Sequence, residues 1–323
     1  MKKKSHTPEQ IVRILRDAEA KLATGQTVEQ VCRELGIGEG TYYKWRKQYG
    51  RMQLDQVKRL KELGLSPFEN SYAIVDPDTP VRVAHDAASK RERGLVELCT
   101  FVDAWSPEAQ QYDLGRRCLE AILSEPGWTA RILTKNVAVA KDFDVIDKYK
   151  SRVLFGMSIT AAPDKNMTMA AVEPHASPNS ERISLLREAH KRGFRTYAMF
   201  CPLLPGISDW SWQIDELISI AADCEAEEIF VEPVNLRGRA LTLTNDALRN
   251  CGYQSEAVAV ESIRDKESWS RYATQLILNV QKSVRKLYDI SRLKFLLYPS
   301  RLTSADIIRI KRDDTGVIWL DRK

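Results

Sequence analysis

The sequence predicts an α/β protein in two parts. An all-α helix-turn-helix domain covers residues 1–63, and an incomplete (βα) barrel with a C-terminal extension covers 81–323, joined by a linker at 64–80. Three observations carry this. Apolar residues recur at helical spacing through three short N-terminal segments, the last two separated by "GIGEG". After "GLSPFENSYAIVDPDTP", with its three prolines, short apolar strands alternate with amphipathic helices. Those units recur every roughly 25 to 35 residues, which suits a barrel. Finally, charge is uneven: residues 1–63 hold 14 Lys/Arg against 8 Asp/Glu, while the rest hold 35 against 36, so the net +5 belongs to the first fifth. A polyanion partner for that part alone is the implication.

Thr7 is placed to cap the first helix, with Pro8 at its first position and Gln10 three residues on. Ile11, Ile14, Leu15, Ala18 and Leu22 then share a face, and Gly25 ends the helix. Thr27 caps a second helix, whose apolar positions are Val28, Val31, Cys32 and Leu35. Gly36 supplies the positive φ that a helix C-terminus needs. Thr41 opens a third helix, "TYYKWRKQYG", ended by Gly50. In a helix-turn-helix the last helix enters the DNA major groove with its N-terminal residues toward the bases. The candidate DNA-binding residues are therefore Gly40, Thr41, Tyr42, Tyr43, Lys44, Arg46 and Lys47, of which Arg46 and Lys47 lie in reach of phosphates. Tyr42 and Trp45, three apart, are also suited to the inward face of the helix.

In the second part, strands are expected at "GLVELCTFVDAW", "ARILTKN", "RVLFGMSIT", "FRTYAMFCPLLPG" and "AEEIFVEPVN", each followed by a helix except the last. The tail reads as a long amphipathic helix, a strand and the start of another helix. Chemistry in such folds gathers at the C-terminal ends of the strands. Those ends carry Asp103, Thr134, Lys135, Asn136, Ser158, Thr160, Pro202, Pro205, Glu232 and Asn235. Singly these are helix caps and turns; as a set on one rim they suit a ligand site.

Several classes are excluded. The six cysteines, Cys32, Cys99, Cys118, Cys201, Cys224 and Cys251, form no CxxC or CxxxC, so local spacing makes no zinc or iron–sulfur site. His6, His85, His175 and His190 show no metal spacing, and no GxSxG, Walker or GxGxxG motif occurs. "MKKKSHTPEQ" lacks an apolar core, and the longest uncharged run, "TYAMFCPLLPGIS", is too short to span a bilayer. No membrane partner and a cytoplasmic location with reduced thiols are expected.

Residues Thr7 to about Gly64, with "VCRELGI", "TYYKWRKQYG" and "KRLKEL", closely resemble the small OrfA subunit of insertion-sequence transposases. The resemblance implies double-stranded DNA as partner, in the form of terminal inverted repeats, and a DDE-type catalytic subunit on a second chain. It also implies a leucine-zipper coiled coil. Here the seam Leu54, Val57, Leu60 and Leu63 is stopped by Gly64 and Pro67, short of the ~3 to 4 heptads a coiled coil needs.

Residues from about Val81 to Arg301, with "LTKN", "SIT", "EPHASPNSER" and "PLLPGISD", resemble radical S-adenosylmethionine (SAM) proteins of the spore-photoproduct-lyase-like group. That resemblance implies a partial barrel binding SAM and a [4Fe–4S] cluster. By motif, Lys135 and Ser158 would contact SAM and Glu173 would shape the pocket rim. The family holds its cluster through a CxxxCxxC-type motif after the first strand, and no cysteine stands between the helix-turn-helix and Leu95. SAM binding is thus expected to be weak and the cluster ligands to be absent. The expectation is a transposase-type DNA-binding module fused to a radical-SAM-like barrel that has lost its first strand, leaving the edge of "GLVELCTFV" bare unless "SYAIV" fills it. The alternative is a radical SAM enzyme acting on nucleic acid or another macromolecule through cluster ligands not evident in the sequence.

Overall fold

The computed structural model describes residues 6, 8–23, 26–49, 75–99, 102–236 and 239–320. The chain divides into two compact units, Met1–Ile74 and Val75–Lys323. Thr7, Gly25, Gly50, the zipper seam at 54–63 and most of "SYAIV" lie outside the described residues.

The first unit contains α1 (Pro8–Ala23), α2 (Val28–Glu34) and α3 (Glu39–Tyr49). Its core is Ile11, Val12, Leu15, Ala18, Val31, Cys32 and Tyr42, with Leu22, Val28, Leu35, Ile37 and Trp45 packed at its margin. The α2 start is a reciprocal capping box. The Gln30 N–H donates to the Thr27 hydroxyl at 3.3 Å, and the Thr27 N–H donates to the Gln30 side chain at 2.9 Å. Gly36 has φ +67°, and the Ile37 N–H then closes on the Cys32 carbonyl at 3.0 Å, which turns the chain into α3. That helix starts at Glu39, two residues before the expected Thr41.

The second unit opens with a helix that the sequence did not announce, α4 (Thr79–Ser89), so the expected linker end at 80 falls inside it. Asp76 to Pro80 carries a turn and two prolines, which mask the helix start, yet Pro80 sits where a missing N–H costs nothing. Strands β1 (Leu95–Leu98), β2 (Thr129–Thr134), β3 (Val153–Ser158), β4 (Arg195–Leu203), β5 (Ile229–Pro233), β6 (Leu293–Leu297) and β7 (Val317–Trp319) form one sheet in chain order. Every neighbouring pair is parallel. This is the open half-barrel expected of an incomplete (βα) fold, with β1 at one edge and β7 at the other. The expected first strand is shorter than its apolar run: it stops at Leu98, and Cys99 takes a left-handed φ of +72°.

The crossovers carry α5 (Leu114–Ser124), α6 (Phe143–Lys148), α7 (Asn166–Val172), α8 (Asn179–Lys191), α9 (Ser211–Asp223), α10 (Ala240–Asn250), α11 (Gln254–Glu261), α12 (Lys266–Leu287) and α13 (Ser304–Ile310). They cover one face of the sheet. Leu98, Ile132, Phe155, Ala198, Val231 and Phe295 are buried there in the main core. The other face is more open, so β2 and β6 alternate between half-buried and buried residues. β3 is the exception, buried at every residue. At Gly156 the cover is Tyr197: its ring lies across the glycine, where a Cβ would come within 2.3 Å of it. Arg131, paired with Glu228, stacks on Tyr197 and on Phe230 at 5.2 and 5.1 Å from the ring centroids.

Candidate nucleic-acid interface and barrel rim

The α3 helix sorts its aromatic and basic residues by face. Tyr42 is 1% exposed and belongs to the core, so it is not available to a base edge; Trp45 packs beside it. Tyr43 is 50% exposed, and Gly40, Thr41, Lys44 and Arg46 are exposed as well. Lys47 lies on α3, but its side chain is outside the described residues. The one correction to the candidate set is therefore Tyr42, which the helical period sends inward with Trp45. Among the described residues, ion pairs elsewhere in the unit join Arg16 to Glu19, Lys21 to Glu34 and Arg33 to Glu29, none involving α3. Lys44 and Arg46 thus present charge that the described fold does not use.

The barrel rim is built differently. Lys135 follows β2 and pairs with Glu173 at the C-terminal end of α7. The same carboxylate accepts from Arg182 of α8 at 2.9 Å and from the Thr160 hydroxyl at 3.1 Å. Arg182, whose side chain is 2% exposed, also donates to the Ser158 carbonyl at 2.9 Å and the Ser177 carbonyl at 2.6 Å. Ser158 itself commits its hydroxyl to the Cys201 carbonyl at 2.8 Å, tying β3 to β4. Burial alone would raise the Glu173 carboxyl, but Lys135 and Arg182 overcome it and hold the group below its usual range. Asn179, fully buried, accepts from the Thr160 N–H at 3.0 Å, while its Nδ2 has no partner.

Other expected rim residues are structural. Asp103 accepts from the Thr134 hydroxyl at 2.8 Å and from the Lys135 N–H at 2.9 Å, locking the turn after β1 to the end of β2. Asn136 caps the turn that follows, accepting from the Ala138 N–H at 3.0 Å. Glu232 accepts from the Cys201 thiol at 3.5 Å, and burial raises its carboxyl. Sequence reasoning missed the part played by Arg182. It stands within the "EPHASPNSER" stretch, but only the fold shows it beneath Glu173.

The cysteines do not suit a cluster. All six are among the described residues: on α2, after β1, on α5, on β4 and after α9 and α10. Among the described residues no group of three or more His, Cys, Asp or Glu is gathered to hold a metal ion. Burial pushes the Cys99 thiol up to about 12, and it raises Cys118, Cys201 and Cys224 as well. The residues present do not fit a [4Fe–4S] centre. No described helix is long and apolar enough to cross a membrane.

Fold and surface together define a protein with a helix-turn-helix unit and an α/β half-barrel. Residues 1–67 match the family described as "Transposase". Over 63 residues the chain is 41% identical to the insertion element ISR1 uncharacterized 10 kDa protein A3 of Rhizobium sp, covering 20% of this chain and 67% of that one. By this N-terminal segment the chain belongs to the transposase family.

It is also 44% identical over 62 residues to low calcium response locus protein S of Yersinia pestis, covering 19% of this chain and 66% of that one. A third relative, uncharacterized protein ORF301 of Acidianus two-tailed virus, is 29% identical over 153 residues, covering 46% and 49% of the two chains. The chain thus spans about half the length of the viral relative. Among solved structures, a mutant spore photoproduct lyase matches with a TM-score of 0.49 and 14% identity, over 70% of this chain and 68% of that one. Another mutant of that lyase, with bound AdoMet and dinucleoside spore photoproduct, matches with a TM-score of 0.47 and 13% identity, over 71% and 68%.

Proposed function

We propose that this chain binds duplex DNA through α3, as the end-recognising component of an insertion element, with strand transfer supplied by a separate catalytic chain. One observation carries the reading: Tyr43, Lys44 and Arg46 stand exposed on the same helix whose inward residues, Tyr42 and Trp45, hold the unit together. Gly40, Thr41 and Lys47 complete the contact set, and Thr41 at the first turn reaches a phosphate or a base edge. The test is a titration of the full chain with duplexes carrying terminal inverted repeats. Affinity should fall linearly with the logarithm of salt concentration. Removing Arg46, in reach of a phosphate, should flatten that slope by about one, and removing Lys44 as well should weaken binding further. Equal binding by the parent and the doubly substituted chain would defeat the reading.

A second reading concerns the barrel, and the intact Lys135–Glu173–Arg182 cluster favours it. The rim binds SAM weakly, with Lys135 as the half-buried cation and Glu173 as the group that fixes it. Ser158 acts there through its strand position, since its hydroxyl is already bonded. No step is assigned to an iron–sulfur centre, because the cysteines do not suit one. Equilibrium dialysis with labelled SAM tests the binding, and loss of retention in Lys135→Ala is expected. Anaerobic treatment with iron and sulfide tests the other half; stoichiometric uptake of both would restore the enzyme alternative.

A further inference from the structure

Three glycines stand within five residues at the entry to α3, and the fold accounts for two of them. Gly36 has a left-handed φ of +67°, which other residues adopt only under strain. Gly38 stands just before the first helical residue, a position where glycine is accepted, and its carbonyl receives the Tyr42 N–H at 2.9 Å. Gly40 has neither reason. It is the second residue of α3, its φ is not left-handed, and a Cβ built there would meet nothing within 4 Å among the described residues. Glycine is among the weakest helix formers, so the unit carries a poor helix former where the described packing leaves room for a Cβ.

The helical period says where that missing side chain would point. At 100° per residue, Gly40 falls on the side opposite Tyr42 and Trp45, between Tyr43 and Lys44. The gap therefore sits in the middle of the outward face, flanked by an exposed aromatic ring and an exposed ammonium. We infer that Gly40 is the point at which α3 comes closest to the duplex: the absent side chain lets the helix backbone sink into the groove, so that Tyr43 and Lys44 reach base edges on either side. This rests on the DNA-binding reading above. Lys44 then donates to the O6 and N7 acceptors of guanine, and the Tyr43 ring lies against a thymine methyl.

The experiment uses the full chain and a short duplex that the parent selects from a randomised pool. Gly40→Ala and Gly40→Leu are compared with the parent for affinity and for hydrogen exchange of the α3 amides. Exchange in Gly40→Ala should be unchanged or slower, because alanine strengthens the helix. Affinity should nevertheless fall about fivefold with Ala and about a hundredfold with Leu, the span of losing one to two good base-pair contacts. If Leu speeds exchange, the Ala variant decides. Binding within about twofold of the parent by a variant with intact α3 exchange overturns the inference and leaves DNA binding standing. A parent chain that selects no duplex overturns both together.

Discussion

Positive charge is used in opposite ways at the two ends of this chain. On α3, Lys44 and Arg46 are exposed and form no ion pair among the described residues. At the barrel rim, Lys135 and Arg182 converge on the single carboxylate of Glu173, whose side chain is 11% exposed. The contrast teaches where charge is available for a partner and where it is part of the fold. Exposed, uncommitted cations contribute little to stability and much to long-range attraction of polyanions. A buried, shared carboxylate does the reverse.

The sharpest way to break that contrast is at Glu173. Glu173→Gln leaves the Arg182 guanidinium buried without its counter-charge and should destabilise the second unit by about 3–5 kcal/mol in chemical denaturation. Pairing it with Arg182→Met should recover most of that loss; if it does not, the cluster is not a charge-balanced unit. Next comes α3. Lys44→Ala and Arg46→Ala should each weaken duplex binding roughly tenfold at moderate salt, while the unfolding free energy moves by no more than about 0.5 kcal/mol. A stability loss matching that at Glu173 would erase the distinction.

Smaller again is the capping box. Thr27→Ala removes the acceptor for the Gln30 N–H and should cost the first unit ~1 kcal/mol, seen as faster amide exchange in α2. The last test is acid. The folded Glu173 carboxyl lies below its ordinary 4.5, so its contribution is full above that value and fades as pH falls through the lower, folded one. Stability of the second unit should thus drop on acidification below about pH 4.5 in the parent, and the drop should be shallower in Glu173→Gln, which has no carboxyl to protonate.

Much of this architecture is legible without coordinates, for stated reasons. The three N-terminal helices follow from Thr27, Gly36 and the spacing of Ile11, Leu15 and Ala18, which are local signals. The parallel strands follow from apolar runs that end in polar residues. What escaped depends on partners far away in sequence. α4 is held by contacts with α5 and by the Trp128 indole donating to the Ala87 carbonyl at 3.0 Å, and nothing near Thr79 announces them. β7 is only three residues long and becomes a strand by pairing with β6. At the rim, Lys135 and Glu173 could be placed by motif, whereas Arg182 could not, because a charged residue in a helix's first turn normally faces water. Tyr42 shows a conflict of two local rules: its position at the helix start argues for the groove, its spacing from Trp45 for the core, and packing decides.

The sheet runs in the same order as the chain, each strand lying beside the one made just before it. A polypeptide leaving the ribosome can therefore lay down the sheet strand by strand, because no strand must wait for a distant later one to insert between it and its predecessor. Synthesis itself becomes the assembly schedule, and once β4 has cleared the ribosome four neighbouring strands are free to pair in the order they were made.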